Sequence, residues 1–74
     1  MEKIEFLSIV MLKDWYIEHL KEIKFNPFGK DTMFIYLGEI PNMPGHCVIV
    51  GHGSGKVYSG YHIEDFRLPR ENEI

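Results

Sequence analysis

The single cysteine of this chain, Cys47, limits how the chain can fold, because one thiol cannot form an intramolecular disulfide. The chain has 74 residues, and a domain of this size buries only about 60% of the surface that its unfolded form exposes. Such small domains depend on a disulfide, a metal, a partner subunit or close packing. We therefore expect close packing, metal binding or oligomerisation to stabilise the fold.

The composition predicts a folded domain in a reducing compartment. Hydrophobic residues make up 45% of the chain and aromatic residues 14%, unlike the low hydrophobicity and high charge of disordered chains. A lone thiol is typical of a reducing compartment, and the charged N-terminal segment lacks the cleavage site of a secretory leader. We therefore expect a cytoplasmic protein. No run approaches the roughly 18 apolar residues that span a membrane, so we expect no membrane partner.

The charge pattern disfavours nucleic acid as a partner. Eight basic residues stand against eleven acidic ones, which gives a net charge of −3. The basic residues are scattered along the chain and form no stripe that could follow a phosphate backbone. We therefore expect a protein or a small molecule as the partner.

An amphipathic helix is predicted over residues 8–25. Apolar residues recur there at steps of three or four, with charged residues on the opposite side. Ser8 is a suitable N-cap. Trp15 and His19 lie on one shoulder of the apolar face, which either covers the sheet or forms the interface of a homo-oligomer.

A β unit is predicted over residues 32–68, followed by a polar tail at 69–74. Its predicted elements are an apolar strand at 32–37 buried on both faces, a stiff loop at 41–45, a hairpin at 46–62, a helical turn at 62–66 and a short strand at 67–68. Together with the helix, these elements predict a single α+β domain over residues 1–74. The N-terminal helix packs on a small antiparallel sheet or barrel of about three to five strands.

Two resemblances bear on this arrangement. The order of elements over residues 33–68 resembles the small barrels of the Src-homology-3 type, which implies a barrel. The sequence from Tyr36 to Cys47, with Gly60-Tyr61-His62 and Asp65-Phe66, is similar to a family of short bacterial and bacteriophage proteins. This likeness covers about the C-terminal half of the chain, and neither resemblance implies an activity.

The glycine-rich segment 51–56 differs from a phosphate-binding loop. Three residues separate Gly51 from Gly55, where the phosphate loop has four, and Val57 follows Lys56 where that motif has Ser or Thr. The residues that follow favour a strand, so no helix N-terminus faces an anion. The segment therefore predicts a hairpin loop in which Gly55 has a positive φ.

The length of this loop decides which side chains meet at the open end of the hairpin. With a three-residue loop at 53–55, His46 faces His62 across the strands. With a loop of two or four residues, His46 faces Tyr61 and His62 lies on the opposite face. A glycine at the third loop position favours the three-residue loop, so we predict a histidine pair.

Metal or thiol chemistry is one interpretation of this end of the hairpin. His46 and His62 are candidate metal ligands, and Asp65, Glu39 or Cys47 could add donors. However, no recognised ligand spacing is present, and neighbouring residues of a strand point to opposite faces, so we expect no metal or cofactor. A thiol enzyme would need Cys47 activated by a histidine, whereas a cysteine in an apolar strand is usually buried and inert.

Binding is the function that the sequence favours. The stiff loop 41–46 adjoins the end of the hairpin and the turn 62–66, so that the two segments can form a shallow pocket. We predict a non-enzymatic module that recognises a peptide, protein or small ligand there, and the alternative is a small metal- or thiol-dependent enzyme centred on His46, Cys47 and His62. The predicted binding residues are Asn42, Met43, Gly45, His46, Tyr61, His62 and Asp65.

Overall fold

The computed structural model describes residues 3–73, so that Met1, Glu2 and Ile74 of the predicted domain and tail lie outside the described residues. Within them, one α-helix and a five-stranded antiparallel sheet confirm the α+β class. None of the helices in this part of the chain is long and apolar enough to cross a membrane. In chain order the elements are β1 (Ile9–Leu12), α1 (Asp14–Ile23), β2 (Met33–Glu39), β3 (His46–Gly51), β4 (Val57–His62), a 3₁₀ turn (Ile63–Asp65), β5 (Phe66–Arg67) and a second 3₁₀ turn (Glu71–Glu73).

The strands lie in the order β4-β3-β2-β1-β5, and each neighbouring pair is antiparallel. The sheet is open, because β4 and β5 are its two edges and do not pair with each other in the described chain. The 3₁₀ turn Ile63–Asp65 lies within the predicted turn 62–66, and the short strand β5 begins one residue before the predicted strand 67–68.

The N-terminal segment differs from its prediction. Residues Ile9–Leu12 form β1, and α1 begins only at Asp14. The prediction that Ser8 caps a helix is wrong, since its carbonyl accepts a hydrogen bond from the Tyr36 N–H at 2.9 Å. The run of four apolar residues fits a helix and a strand equally well. Residues Ile9–Leu12 adopt the strand conformation because they pair with β2 on one side and with β5 on the other.

The core lies on one face of the sheet, where Leu20 of α1 and Phe28 of the following loop join the buried residues of the strands. Phe28 is at its centre, with its ring centroid 5.0 to 5.1 Å from those of Phe34, Tyr58 and Tyr61. Strand β2 alternates between core-facing and partly exposed positions, so the prediction that it is buried on both faces is wrong. The buried apolar residues are Val10, Leu12, Leu20, Phe28, Phe34, Tyr36, Cys47, Ile49 and Phe66.

The hairpin loop has four residues, so the prediction of a three-residue loop is wrong. Val50 pairs with Val57, and the Gly51 N–H donates to the Lys56 carbonyl at 2.8 Å, which leaves residues 52–55 as the loop. The φ of Gly55 is 74°, as predicted. By itself this register would place His62 on the wrong face for a histidine pair.

A bulge in β4 restores the pair. The register shifts by one residue between Val48, which lies opposite Ser59, and Cys47, which lies opposite Tyr61. The residue passed over is Gly60, with a φ of 88°, a left-handed conformation that glycine adopts at little cost. Beyond the bulge His46 lies opposite His62, so the predicted pairing of the histidines is confirmed although the predicted loop is not.

The C-terminal tail folds back on the sheet. The guanidinium of Arg67 donates two hydrogen bonds to the carboxylate of Glu73, at 2.7 and 2.9 Å. Arg70 donates to Asp14 at the start of α1, at 2.9 Å. The tail therefore ties the edge strand β5 to the helix.

Candidate binding cleft

An open cleft of about 780 Å³ lies where the loop 41–46 meets the turn 62–66. Its volume is within the range of roughly 300 to 1,000 Å³ that is usual for ligand sites. Two segments predicted to form a contact surface therefore share one concavity. The lining residues are Ile4, Lys13, Pro44, Gly45, His46, His62, Ile63, Glu64 and Phe66.

The two histidines form one wall of the cleft. Their ring centroids are 4.2 Å apart and the rings are tilted by 44°. Nδ1 of His46 lies 3.0 Å from the carbonyl oxygen of Pro44. When Nδ1 donates that bond, Nε2 is left as an acceptor. His46 is half-buried and His62 is exposed, so the pair offers one oriented ring and one ring open to solvent.

The loop beside the histidines is held by hydrogen bonds. Its backbone is closed by bonds from the Met43 N–H to the Ile40 carbonyl and from the His46 N–H to the Met43 carbonyl, both 3.0 Å. Oε2 of Glu39 accepts from the Gly45 N–H at 2.7 Å. Glu39, a possible metal donor by sequence, thus fixes the backbone. A loop held in this way loses little conformational freedom when a ligand binds.

The turn is joined to both neighbouring segments. The Ile63 N–H donates to the Gly45 carbonyl at 2.8 Å, and the Asp65 carbonyl accepts from the Lys13 N–H at 2.9 Å. The first bond connects the turn to the loop, and the second connects it to the start of α1. Loop, turn and helix start therefore form one connected rim around the cleft.

Asp65 is the buried charged residue of this region. It is only 7% exposed, and burial raises the pKa of its carboxyl group, while the nearby charges of His62, Lys13 and His19 act in the opposite direction. His19, predicted as an interface residue, thus lies within electrostatic range of a residue predicted for binding. A buried carboxyl with a raised pKa beside a cleft is typical of functional regions.

The structure places only some of the predicted binding residues in the cleft. Gly45, His46 and His62 line it, whereas Asn42 and Met43 lie on the exposed part of the loop. Tyr61 lies on the core side of β4, where its ring contacts that of Phe28. Three of the seven predicted binding residues therefore line the cleft, and the other lining residues were not among those seven.

The two helical interface candidates flank Tyr16. Trp15 is 56% exposed and meets the Tyr16 ring edge-on, with 5.6 Å between centroids. The His19 ring is stacked with that of Tyr16, with 6.4 Å between centroids. The exposed indole is available for contact with a second copy, and the homo-oligomer interface stays a prediction.

The geometry does not support thiol or metal chemistry at this end of the hairpin. Cys47 is 0% exposed and its side chain faces the core, away from His46. Burial raises the pKa of its thiol to about 11, so the reactive thiolate is disfavoured at neutral pH. In the part of the chain that the structure describes, no three His, Cys, Asp or Glu side chains are grouped to hold a metal ion.

Sequence reasoning missed Ile4 and Lys13, which line the cleft but lie outside the predicted segments 41–46 and 62–66. The position of Lys13 depends on β1, because that strand pairs with β5 and brings Lys13 beside the turn. The run Ile9-Val10-Met11-Leu12 carries no decisive signal, since four consecutive apolar residues fit a helix as well as a buried strand.

Comparisons of this chain with protein-family models, curated proteins and solved structures gave no match.

Proposed function

We propose that this protein is a non-enzymatic recognition module that binds a short peptide in the cleft between the loop 41–46 and the turn 62–66. The observation that carries the proposal is the cleft itself, of about 780 Å³, with a histidine pair on one wall. Pockets of this size with a few fixed polar groups are the usual form of a binding site.

The chemistry of the lining fits a peptide with an apolar anchor. Ile4 and Ile63, which are partly exposed, provide apolar surface for a side chain. His46 and His62 can exchange hydrogen bonds with peptide groups, because imidazole nitrogens both donate and accept. Lys13 and Glu64 at the same site carry opposite charges, so charged neighbours of the anchor would set the direction of the peptide.

The architecture supports a related structural proposal. The strand order β4-β3-β2-β1-β5, with a 3₁₀ turn directly before β5, is consistent with an opened form of the small barrels of the Src-homology-3 type. In this proposal α1 occupies the connection between the first two strands.

Selection from a displayed library of random dodecapeptides tests the proposal. Peptides selected on the wild-type protein should lose affinity for His62→Ala by about fivefold or more. The matched control is His52→Ala, since His52 is exposed on the hairpin loop and lies outside the cleft. Thermal unfolding of both variants checks that the fold is intact. Failure to enrich any peptide, or equal effects of the two substitutions, would refute the proposal.

A further inference from the structure

A second concavity, which shares no lining residue with the cleft, lies beside the C-terminal half of α1. We call it the helix groove; its volume is about 470 Å³. Most of its surface is apolar, contributed by Met11, Leu12, Ile17, Leu20 and Phe25. Phe25 is 59% exposed, so an aromatic ring at the groove is left in contact with water.

Lys24 lines the helix groove in an unusual backbone conformation. Its φ and ψ are 54° and 41°, the left-handed region that glycine normally occupies after the last turn of a helix. The Lys24 N–H donates to the Lys21 carbonyl at 3.2 Å, and the Phe25 N–H donates to the Leu20 carbonyl at 3.1 Å. These bonds form the helix end in which glycine is preferred. A lysine at this position therefore costs stability, which points to a use for its side chain.

Asn26, which also lines the groove, fixes the loop that follows α1. Its Oδ1 accepts from the Phe28 N–H at 3.0 Å, and its Nδ2 donates to the Gly29 carbonyl at 2.8 Å. The loop is thereby held in one conformation. The groove is consequently formed before any ligand binds, which lowers the cost of binding.

The charge available at the groove is positive. Lys21 and Lys24 line it, and no ion pair involves Lys24 within residues 3–73. The pair of Lys21 with Glu18, at 3.6 Å, is exposed and therefore weak. Asp31 is the acidic lining residue, and hydrogen bonds from the Ser54 and Tyr58 hydroxyls lower the pKa of its carboxyl group, so that it stays ionised. With Lys21 and Lys24 against Asp31, the lining keeps a net positive charge.

We propose that the helix groove binds a medium-chain fatty acid. Its apolar chain lies against Leu20 and Phe25, and its carboxylate lies near the ammonium groups of Lys21 and Lys24. An apolar floor with a cationic rim is complementary to an apolar chain with an anionic head. The size of the groove favours this ligand over a helix of a protein partner, since about 300 to 1,000 Å³ is the scale of small-molecule sites. The proposal does not depend on peptide binding at the cleft.

Calorimetric titration with octanoate, decanoate and decanol tests the roles of the apolar chain and of the carboxylate. The two acids are kept below their micelle concentrations and decanol below its solubility limit. Each added methylene should tighten binding of the carboxylates by about three- to fourfold. Decanoate should bind about two- to fivefold more tightly than decanol, because only the carboxylate is attracted by the lysines. Equal affinity for decanoate and decanol, or no dependence on chain length, would overturn the proposal.

Lys24→Gly separates the binding role from a structural one. Glycine suits the left-handed conformation, so this variant should have a higher melting temperature than the wild type. It should nevertheless bind decanoate about two- to fivefold more weakly and decanol equally well. The matched control is Lys30→Ala, which removes one charge outside the groove and should leave both affinities unchanged. An unaltered decanoate affinity in Lys24→Gly would overturn the proposal. It would also be overturned if the groove bound an acidic helical peptide and did not bind decanoate.

Discussion

The ring centroids of His46 and His62 lie 4.2 Å apart because a bulge at Gly60 corrects the register that the hairpin loop sets. The loop has four residues and by itself would direct His62 to the opposite face of the sheet. The histidine wall of the cleft therefore depends on the backbone conformation of one glycine in β4.

Gly60→Ala should lower the free energy of unfolding by about 1 to 2 kcal/mol, because an L-residue is strained at a φ of 88°. No atom lies within 4 Å of the added Cβ, so the cost is conformational and not steric. Urea denaturation measures it. Gly53→Ala is the control, since its Cβ would only make an ordinary contact with Asp31, at 3.7 Å. Equal stability of the two variants would contradict this explanation of the bulge.

Gly51→Ala should be destabilising for a steric reason. A Cβ at this position would collide with the carboxylate of Asp31 and lie 2.7 Å from Oγ of Ser54. Overpacking of this kind costs about 1 to 3 kcal/mol, which urea denaturation can measure. In an Asp31→Ser background the penalty should be smaller, because the colliding carboxylate is gone. A penalty that is the same in both backgrounds would show that this contact is not its cause.

Asp65→Asn should raise the free energy of unfolding at pH 7 by about 1 kcal/mol, since it removes a buried charge. Burial raises the pKa of Asp65 in the folded state. The free energy of unfolding is therefore highest below the pKa that Asp65 has in the unfolded chain, where the carboxyl group is protonated in both states. It falls as the pH rises through the higher pKa of the folded state.

Urea denaturation of wild type and Asp65→Asn from pH 3 to pH 8 measures this contribution as a difference. The variant should gain stability relative to the wild type as the pH rises. Glu64→Gln is the control, because Glu64 is the exposed neighbour of Asp65. A constant difference across the pH range would contradict the assignment of the raised pKa to Asp65.

Glu73→Gln should lower the melting temperature at pH 7, because it weakens the double hydrogen bond to Arg67. That interaction, together with the hydrogen bond from the Arg70 N–H, lowers the pKa of Glu73 from 4.5 to about 2. The stabilisation is therefore present above pH 4.5 and lost as the pH falls toward 2. Melting curves of the two proteins should converge near pH 2. Glu71→Gln, at an exposed position of the same turn, should match the wild type throughout.

The elements predicted correctly are those with a local signal. The hairpin strands are marked by β-favouring residues, and the positive φ of Gly55 follows from its place in the loop. Strand β1 lacks such a signal, because its four apolar residues also continue the helical period of α1. Its state is decided by pairing with β2 and β5, which are distant in sequence. No local pattern contains that information.

The cleft was predictable only in part. The loop and turn follow from Pro, Gly and the neighbouring strands, so their proximity could be inferred. The histidine pair was predicted from a loop one residue too short, and the compensating bulge at Gly60 was missed, although an isolated glycine in a strand often marks a bulge. The place of Lys13 beside the turn and the burial of Asp65 could not be inferred, because residues 13 and 65 are brought together by a contact that is long-range in sequence.

An amide chemical-shift map is the most direct test of the central claim that the cleft is a peptide-binding site. The ¹⁵N-labelled protein is titrated with a dodecapeptide selected on the wild type. The largest shifts should fall on Gly45, His46, His62 and Ile63, and the same titration of His62→Ala should give much smaller shifts. Shifts that cluster on α1 or on the hairpin loop, or that persist unchanged in His62→Ala, would contradict the account.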